Sequence, residues 1–239
     1  MDLYASQLGH KALNDKIRES NEDIVIESCF GERFIGSGVS GDNTITINGT
    51  PGNALGAYLD GPTVIVNGNA QDSVGDTMNN GKIIINGSAG DALGYAMRGG
   101  KIFVKGDAGY RTGIHMKEYQ DKRPVIVIGG RVGSFLGEYL AGGLIIVLGL
   151  ENDHFPAGYF AGTGMHGGEI FLRTDKHPEN MPEQVIVSEA TAEDMAGISD
   201  IIGEYADTFG FNMEEILGKT FYKLAPNAKN PYRQLYTEN

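Results

Sequence analysis

Four segments of this chain repeat one another at an interval of 19 residues. They are ITINGTPGNALG (45–56), VIVNGNAQDSVG (64–75), IIINGSAGDALG (83–94) and IFVKGDAGYRTG (102–113). A fixed period of this length constrains the fold more than any other feature, because each copy must place its residues identically. The pattern extends in both directions once short insertions are allowed. Downstream, Gly130, Gly133 and Gly137 reproduce the glycine spacing, with extra residues between Met116 and Ile126. A last copy carries Gly158, Gly162, Met165, Ile170 and Leu172, with extra residues between Gly149 and Gly158. Upstream, Ile24, Ile26, Gly31, Ile35 and Gly36 form a degenerate first copy.

Aligned this way, apolar residues fall into four columns. The first reads Ile24, Ile45, Val64, Ile83, Ile102, Ile126, Ile145, Ile170. The second reads Ile26, Ile47, Val66, Ile85, Val104, Ile128, Val147, Leu172. The third reads Ile35, Leu55, Val74, Leu93, Thr112, Leu136, Ala161, and the fourth Val39, Leu59, Met78, Met97, Met116, Leu140, Met165. Only Thr112 and Ala161 break the run of large apolar side chains. Each copy is too short for two helices and is dense in β-branched residues and glycine. The expectation is an all-β chain: a single-stranded, right-handed parallel β-helix of about seven coils and triangular section. Coils stacked at the strand spacing of ~4.8 Å give a rod roughly 30–35 Å long. The apolar columns fill its centre. The column Gly36, Gly56, Gly75, Gly94, Gly113, Gly137, Gly162 marks corners where the backbone needs a left-handed conformation or a close approach.

The flanks divide the chain into 1–23, an N-terminal segment; 24–173, the repeat domain; and 174–239, a C-terminal cap and tail. In the first, Leu8, Ala12, Leu13 and Ile17 have helical spacing, which suits a short amphipathic helix over the open edge of the first coil. In the last, Val185 to Val187 reads as a short strand. Thr191 with Asp194 resembles a capping box. Met195, Ile198, Ile201, Ile202, Tyr205 and Phe209 then line one helical face, and Asn212 opens a second short helix through Leu217. The aromatic segments 221–224 and 230–236 are expected to pack back on the rod. Within the repeat, Asn48, Asn67 and Asn86 share a column, so their amides can bond along the rod. Lys105 interrupts that column, and Gln71 replaces a corner glycine.

Most of the 36 glycines fall in the repeat, where the period shows that they are structural. A formal net charge of −12 argues against nucleic acid or an anionic membrane as partner. Cys29 is the only cysteine, so neither an internal disulfide nor a cluster ligand set can be built. Residues 1–30 have no signal-type apolar core and no segment approaches a membrane span, so a soluble cytoplasmic protein is expected.

The residues offer little catalytic chemistry. Asn53, Asp72 and Asp91 stack in one column and could present oxygens to a hard cation, but an exposed polar ladder accounts for them better. His115 and His166 lie beside the methionine column in coils two apart, without the spacing of a metal motif. His10, His154 and His177 read as surface groups. Cys29 sits in a degenerate coil, and no serine lies in a nucleophile elbow. Residues 106–113 lack the ending of a phosphate loop.

The repeat with GYAMRGGKIFVKGDAG (94–109) resembles the C-terminal β-helix (GXGXG repeat) domain of the glutamate synthase large subunit. GIHMKEY (113–119), PVIVIGG (124–130), GTGMHGG (162–168) and NPYRQLY (230–236) resemble the form in which that domain is a separate archaeal or bacterial polypeptide. One subunit of formylmethanofuran dehydrogenase and one of N-methylglutamate synthase are similar too. The resemblance implies a part in making glutamate from glutamine and 2-oxoglutarate. In that family the catalytic cysteine lies in the amidotransferase domain, and the flavin and iron–sulfur cluster lie in the synthase domain. This chain matches neither, so the resemblance implies a non-catalytic scaffold of an oxidoreductase, with no cofactor of its own and no catalytic residue to transfer. The implied partners are the amidotransferase and flavin/iron–sulfur subunits. The alternatives are a scaffold resembling the formylmethanofuran dehydrogenase subunit, or a free-standing β-helix that binds or cleaves sugars; homo-oligomerisation stays open.

Loops 117–124 and 150–157 interrupt the rod and relieve no packing problem, so partner contacts are expected there. The first holds Lys117, Tyr119, Lys122 and Arg123, suited to an acidic partner patch. The second offers His154 and Phe155, a polar group beside an aromatic anchor.

Overall fold

The computed structural model describes residues 1–151 and 153–227; the segment 230–236 quoted above lies outside the described residues. β1 (Asp2–Tyr4) opens the stack, and one strand per coil follows in chain order: β2 (Ile24–Phe30), β3 (Thr44–Thr50), β4 (Asp60–Asn67), β5 (Asn80–Ile85), β6 (Lys101–Val104), β7 (Val125–Ile128), β8 (Ala141–Val147) and β9 (Gly167–Arg173). All are parallel, and the coils form a solenoid of about seven turns. Every step of the first two apolar columns is a register pair, from Ile24 with Ile45 to Ile145 with Ile170, and from Ile26 with Ile47 to Val147 with Leu172. The other two columns are buried against them in the same core. Thr112 is buried as well, and its hydroxyl donates to the Gly109 carbonyl at 3.2 Å, which satisfies the one polar group in the ladder. A second side of the coil carries the single-residue bridges Ala70–Ala89, Ala108–Val132 and Val132–Ala157.

The third side is the glycine corner. All seven corner glycines have φ between 62° and 73°. The residues two before and two after are left-handed too, as at Ala54 and Tyr58 (62° and 58°) or Arg111 and His115 (57° and 55°). Amides in this run bond alternately to the next and the previous coil: Ala54 to Asp72 O, Gly56 to Ile35 O, Tyr58 to Asp76 O. Those bonds hold non-glycine residues in a conformation they rarely adopt. Only the middle position must be glycine, because its Cβ would point into the core. At Gly56 that carbon would sit 2.7 Å from Ile83 Cδ1.

The N-terminal helix α1 (Ala5–Arg18) is kinked at Gly9 and follows β1, a strand the sequence pattern does not reveal. It buries Ala5, Leu13 and Ile17. Ala12 is exposed, and Asn14 takes the inward place instead. Its amide donates to His10 O at 2.7 Å and Arg33 O at 2.9 Å, tying the helix to the first corner.

At the other end, β10 (Val185–Glu189), α2 (Ala192–Phe209), α3 (Met213–Leu217) and β11 (Phe221–Pro226) follow. β11 inserts between β9 and β10 and is antiparallel to both, so it closes the parallel stack. Helix α2 opens on the Thr191–Asp194 capping box and ends on left-handed Gly210. It lies on the flank of the rod, where the outward faces of β6–β9 are apolar. Phe103, Val125, Val127, Leu144, Ile146 and Phe171 form a second core with Ile198, Ile202, Tyr205 and Ala206. The Tyr205 hydroxyl donates to Val104 O at 3.0 Å, and burial pushes its phenol well above its usual range. Glu204 bonds both Lys82 and Lys101 beside this core. Among the described residues, no helix is long and apolar enough to cross a membrane.

Candidate functional site

Most polar groups of the repeat serve the rod itself. Asn67 donates to Asn48 at 2.8 Å and Asn86 to Asn67 at 3.1 Å, as stacked amides should. Lys105, which ends that column, lies over the Phe211 ring. The Asn53, Asp72, Asp91 column accepts backbone N–H groups from the next coil, those of Asp72, Asp91 and Tyr110. Asn69, Ser88 and Asp107 do the same for Ser88, Asp107 and Arg131. These oxygens are occupied as backbone caps and do not converge on an ion. The glycines one coil on, such as Gly90 and Gly109, leave room for the capping carboxylates where a Cβ would stand.

The histidines are dispersed. His115 stacks on Tyr139 at 5.1 Å and meets the edge of Tyr95, while His166 Nδ1 lies 3.2 Å from Gly164 O. Among the described residues no group of three His, Cys, Asp or Glu could hold a metal. Cys29 is buried, and desolvation followed by Glu32 pushes its thiol up to about 12, so it is held as an inert thiol. A single buried cysteine does not fit an iron–sulfur cluster.

The two loops differ from each other. Loop 117–124 closes on itself through a tight turn in which Tyr119 and Lys122 exchange backbone hydrogen bonds. Its cations are largely engaged within the chain: Arg123 with Glu169 at 2.6 Å and Glu118 at 3.6 Å, Lys122 with Asp60 at 3.7 Å. Lys117 and Tyr119 remain exposed. Loop 150–157 is anchored by Asp153, which Lys219 holds at 2.8 Å. His154 is exposed, whereas Phe155 is half-buried against the core and its carbonyl accepts from Arg131 Nε at 3.2 Å.

Phe155 opens onto a cleft of about 760 Å³ between the last glycine corner and the segment leaving the rod. Aromatic side chains Phe155, Tyr159 and Phe160 form one wall, and Arg131, Lys176 and His177 contribute to the rim. Tyr159 and Phe160 are 79% and 55% exposed. They continue into an aromatic ridge on the corner side: Phe160 stacks on Phe135 at 5.2 Å, and Arg111 lies over Phe135 at 4.9 Å while pairing with Glu138. Tyr139, His115 and Tyr95 run alongside. Arg111, His115, Phe135, Tyr139 and Phe160 of the ridge stand on the left-handed positions flanking the corner glycines, which turn their side chains outward. The apolar columns of the sequence trace inward residues, and this outward series escapes them. Its signal is present as Arg111, Phe135 and Phe160 two residues before successive corners, with His115 and Tyr139 two after.

Comparison with known proteins agrees with this architecture. The chain is 44% identical to the uncharacterized protein MJ1350 of Methanocaldococcus jannaschii, over 98% of this chain and 95% of that one. It resembles a chain of the formyltransferase/hydrolase complex FhcABCD of Methylorubrum extorquens, solved with methylofuran, at a TM-score of 0.64. That match has 24% identity over 84% of this chain and 71% of the other, and it shows a shared fold. A family model described as GXGXG motif covers residues 12–228. With its seven left-handed glycine corners stacked along one rod, the chain belongs to the GXGXG motif family, the type of β-helix domain found in glutamate synthase.

Proposed function

We propose that this chain is a non-catalytic scaffold subunit of glutamate synthase, holding an amidotransferase subunit and a flavin/iron–sulfur synthase subunit in register. The carrying observation is that its polar ladders are consumed in holding the rod together, while an aromatic ridge is left open to solvent. A surface of exposed aromatic and arginine side chains suits protein contact better than catalysis. Family membership supports the glutamate synthase assignment. Loops 117–124 and 150–157 add contact elements through Lys117, Tyr119, His154 and Phe155.

A second reading is a scaffold in a formyltransferase/hydrolase-type assembly. It is favoured by the fold shared with a chain of the FhcABCD complex. Affinity purification of the tagged chain from its own cells separates the two. Recovery of a flavoprotein with glutaminase-competent partners supports the first, and recovery of formyltransferase/hydrolase-type subunits supports the second. The isolated chain is expected to be colourless and without glutaminase or glutamate-forming turnover; stoichiometric flavin or such turnover in pure protein would refute the scaffold reading.

A further inference from the structure

We propose that the cleft between residues 155–160 and 176–181, with the aromatic ridge leading into it, receives an acidic, aromatic-bearing segment of a partner subunit. This rests on the scaffold reading and names the surface and the chemistry of what docks there. The first argument is charge. The whole chain carries −12, yet Arg131 and Lys176 gather on this rim against Glu179 alone among its lining carboxylates, with the polar ring of His177 beside them. Nearby Asp153 is held by Lys219. Arg131 uses Nε on the Phe155 carbonyl and makes no ion pair among the described residues. A partner carboxylate is steered to this place because the surrounding surface repels it.

The second argument is shape and composition. Tyr159 and Phe160 stand at the junction of cleft and ridge, and their rings lie 6.3 Å apart. The Phe135–Phe160 stack and the Arg111 guanidinium over Phe135 extend the platform along the rod axis. Rigid aromatic side chains on a regular scaffold give contact area at low cost in conformational entropy. A segment with an aromatic ring beside its carboxylates can stack on this platform while its charges reach the rim.

The test uses a random copolymer of glutamate and tyrosine as probe, with the intact chain. A polyanion has little reason to bind a protein of this charge anywhere else. Saturable binding is expected, weakened by added salt, and stronger than that of polyglutamate. Arg131→Gln with Lys176→Gln should weaken it at least tenfold, and so should Phe160→Asn, chosen because asparagine tolerates the left-handed backbone at position 160 (φ 63°). Lys11→Gln, an exposed residue of α1 at the other end of the rod, should leave it unchanged. Unaltered thermal midpoints confirm that the variants fold, and the charge pair tests the idea even if Phe160→Asn does not. Failure of the copolymer to bind, or equal binding by all variants, overturns the proposal. So does concentration-dependent self-association that Phe160→Asn abolishes, because the cleft would then belong to a second copy. Failed copolymer binding with intact partner co-purification removes this surface and leaves the scaffold reading standing. The reverse pattern supports the surface and removes that reading.

Discussion

At Gly94 the backbone has φ 67°, and an added Cβ would run into Ile126 Cδ1 and toward Met97 Sδ. Both neighbours belong to the packed ladder, so neither can yield freely. Gly94→Ala should therefore cost about 2–4 kcal/mol, combining left-handed strain with overpacking. Gly197, inside α2 with open space around it, gives the opposite expectation. Gly197→Ala should stabilise by about 0.5–1 kcal/mol through helix propensity. Urea unfolding of both variants checks the contrast; equal and small effects would mean the corner is not packed as described. The corner glycines are legible in the sequence because each is left-handed and, from Gly56 onward, a Cβ would collide with the core. The left-handed residues beside them are harder to read, since Tyr58, Arg111 and Phe135 point outward and their left-handed backbone imposes no residue type; only their fixed spacing from the corners marks them.

Among the elements, α2 shows how a single residue couples helix to rod. Tyr205→Phe removes the bond to Val104 O and should cost about 1 kcal/mol, the net worth of a buried hydrogen bond. Tyr205→Ala also opens a cavity beside Phe103 and should cost about 3–5 kcal/mol. The helix start has a pH signature. Asp194 is held down to about 2, first by the hydrogen bond from Lys223 and then by the Thr191 amide and hydroxyl. A lowered carboxylate contributes stability above its unfolded value of ~3.9 and loses it as pH falls through the folded one. Asp194→Asn should thus lower the thermal midpoint at pH 7, and the difference from the parent chain should shrink between about pH 4 and about pH 2. The capping box is readable from Thr191 and Asp194 alone. The seat of the helix is harder to read, although β7 and β8 signal it by being apolar on both faces, VIVI and LIIV, where β3 alternates with threonine. β11 reads in the sequence as a packed tail, because antiparallel closure of a parallel stack has no counterpart in the repeat.

Over the whole molecule, contacts between coils recur at a separation of 19 residues, and each coil chiefly supports its neighbours. Removing residues 50–68 deletes one coil, joining Gly49 to Asn69 in register. The shortened chain is expected to fold with an unchanged β signature in circular dichroism and a modestly lower midpoint. Removing a half-period from the same place should give insoluble protein, because the inward columns would then face outward. Solubility and spectra of the two deletions decide the point.

The flank core has a consequence for synthesis. The Tyr205 hydroxyl reaches back 101 residues to Val104, whereas neighbouring coils close on each other soon after they are made. A ribosome working from the N-terminus completes Phe103, Val127, Ile146 and Phe171 before the helix that covers them exists. During that interval the nascent rod shows a flat, apolar wall to its surroundings. A stalled product ending at Asp175 would keep that wall permanently, and is expected to pellet or to be held by chaperones. Threonine at 127 and 146 in the same product should return it to the supernatant, because a wall patterned like β3 needs no cover.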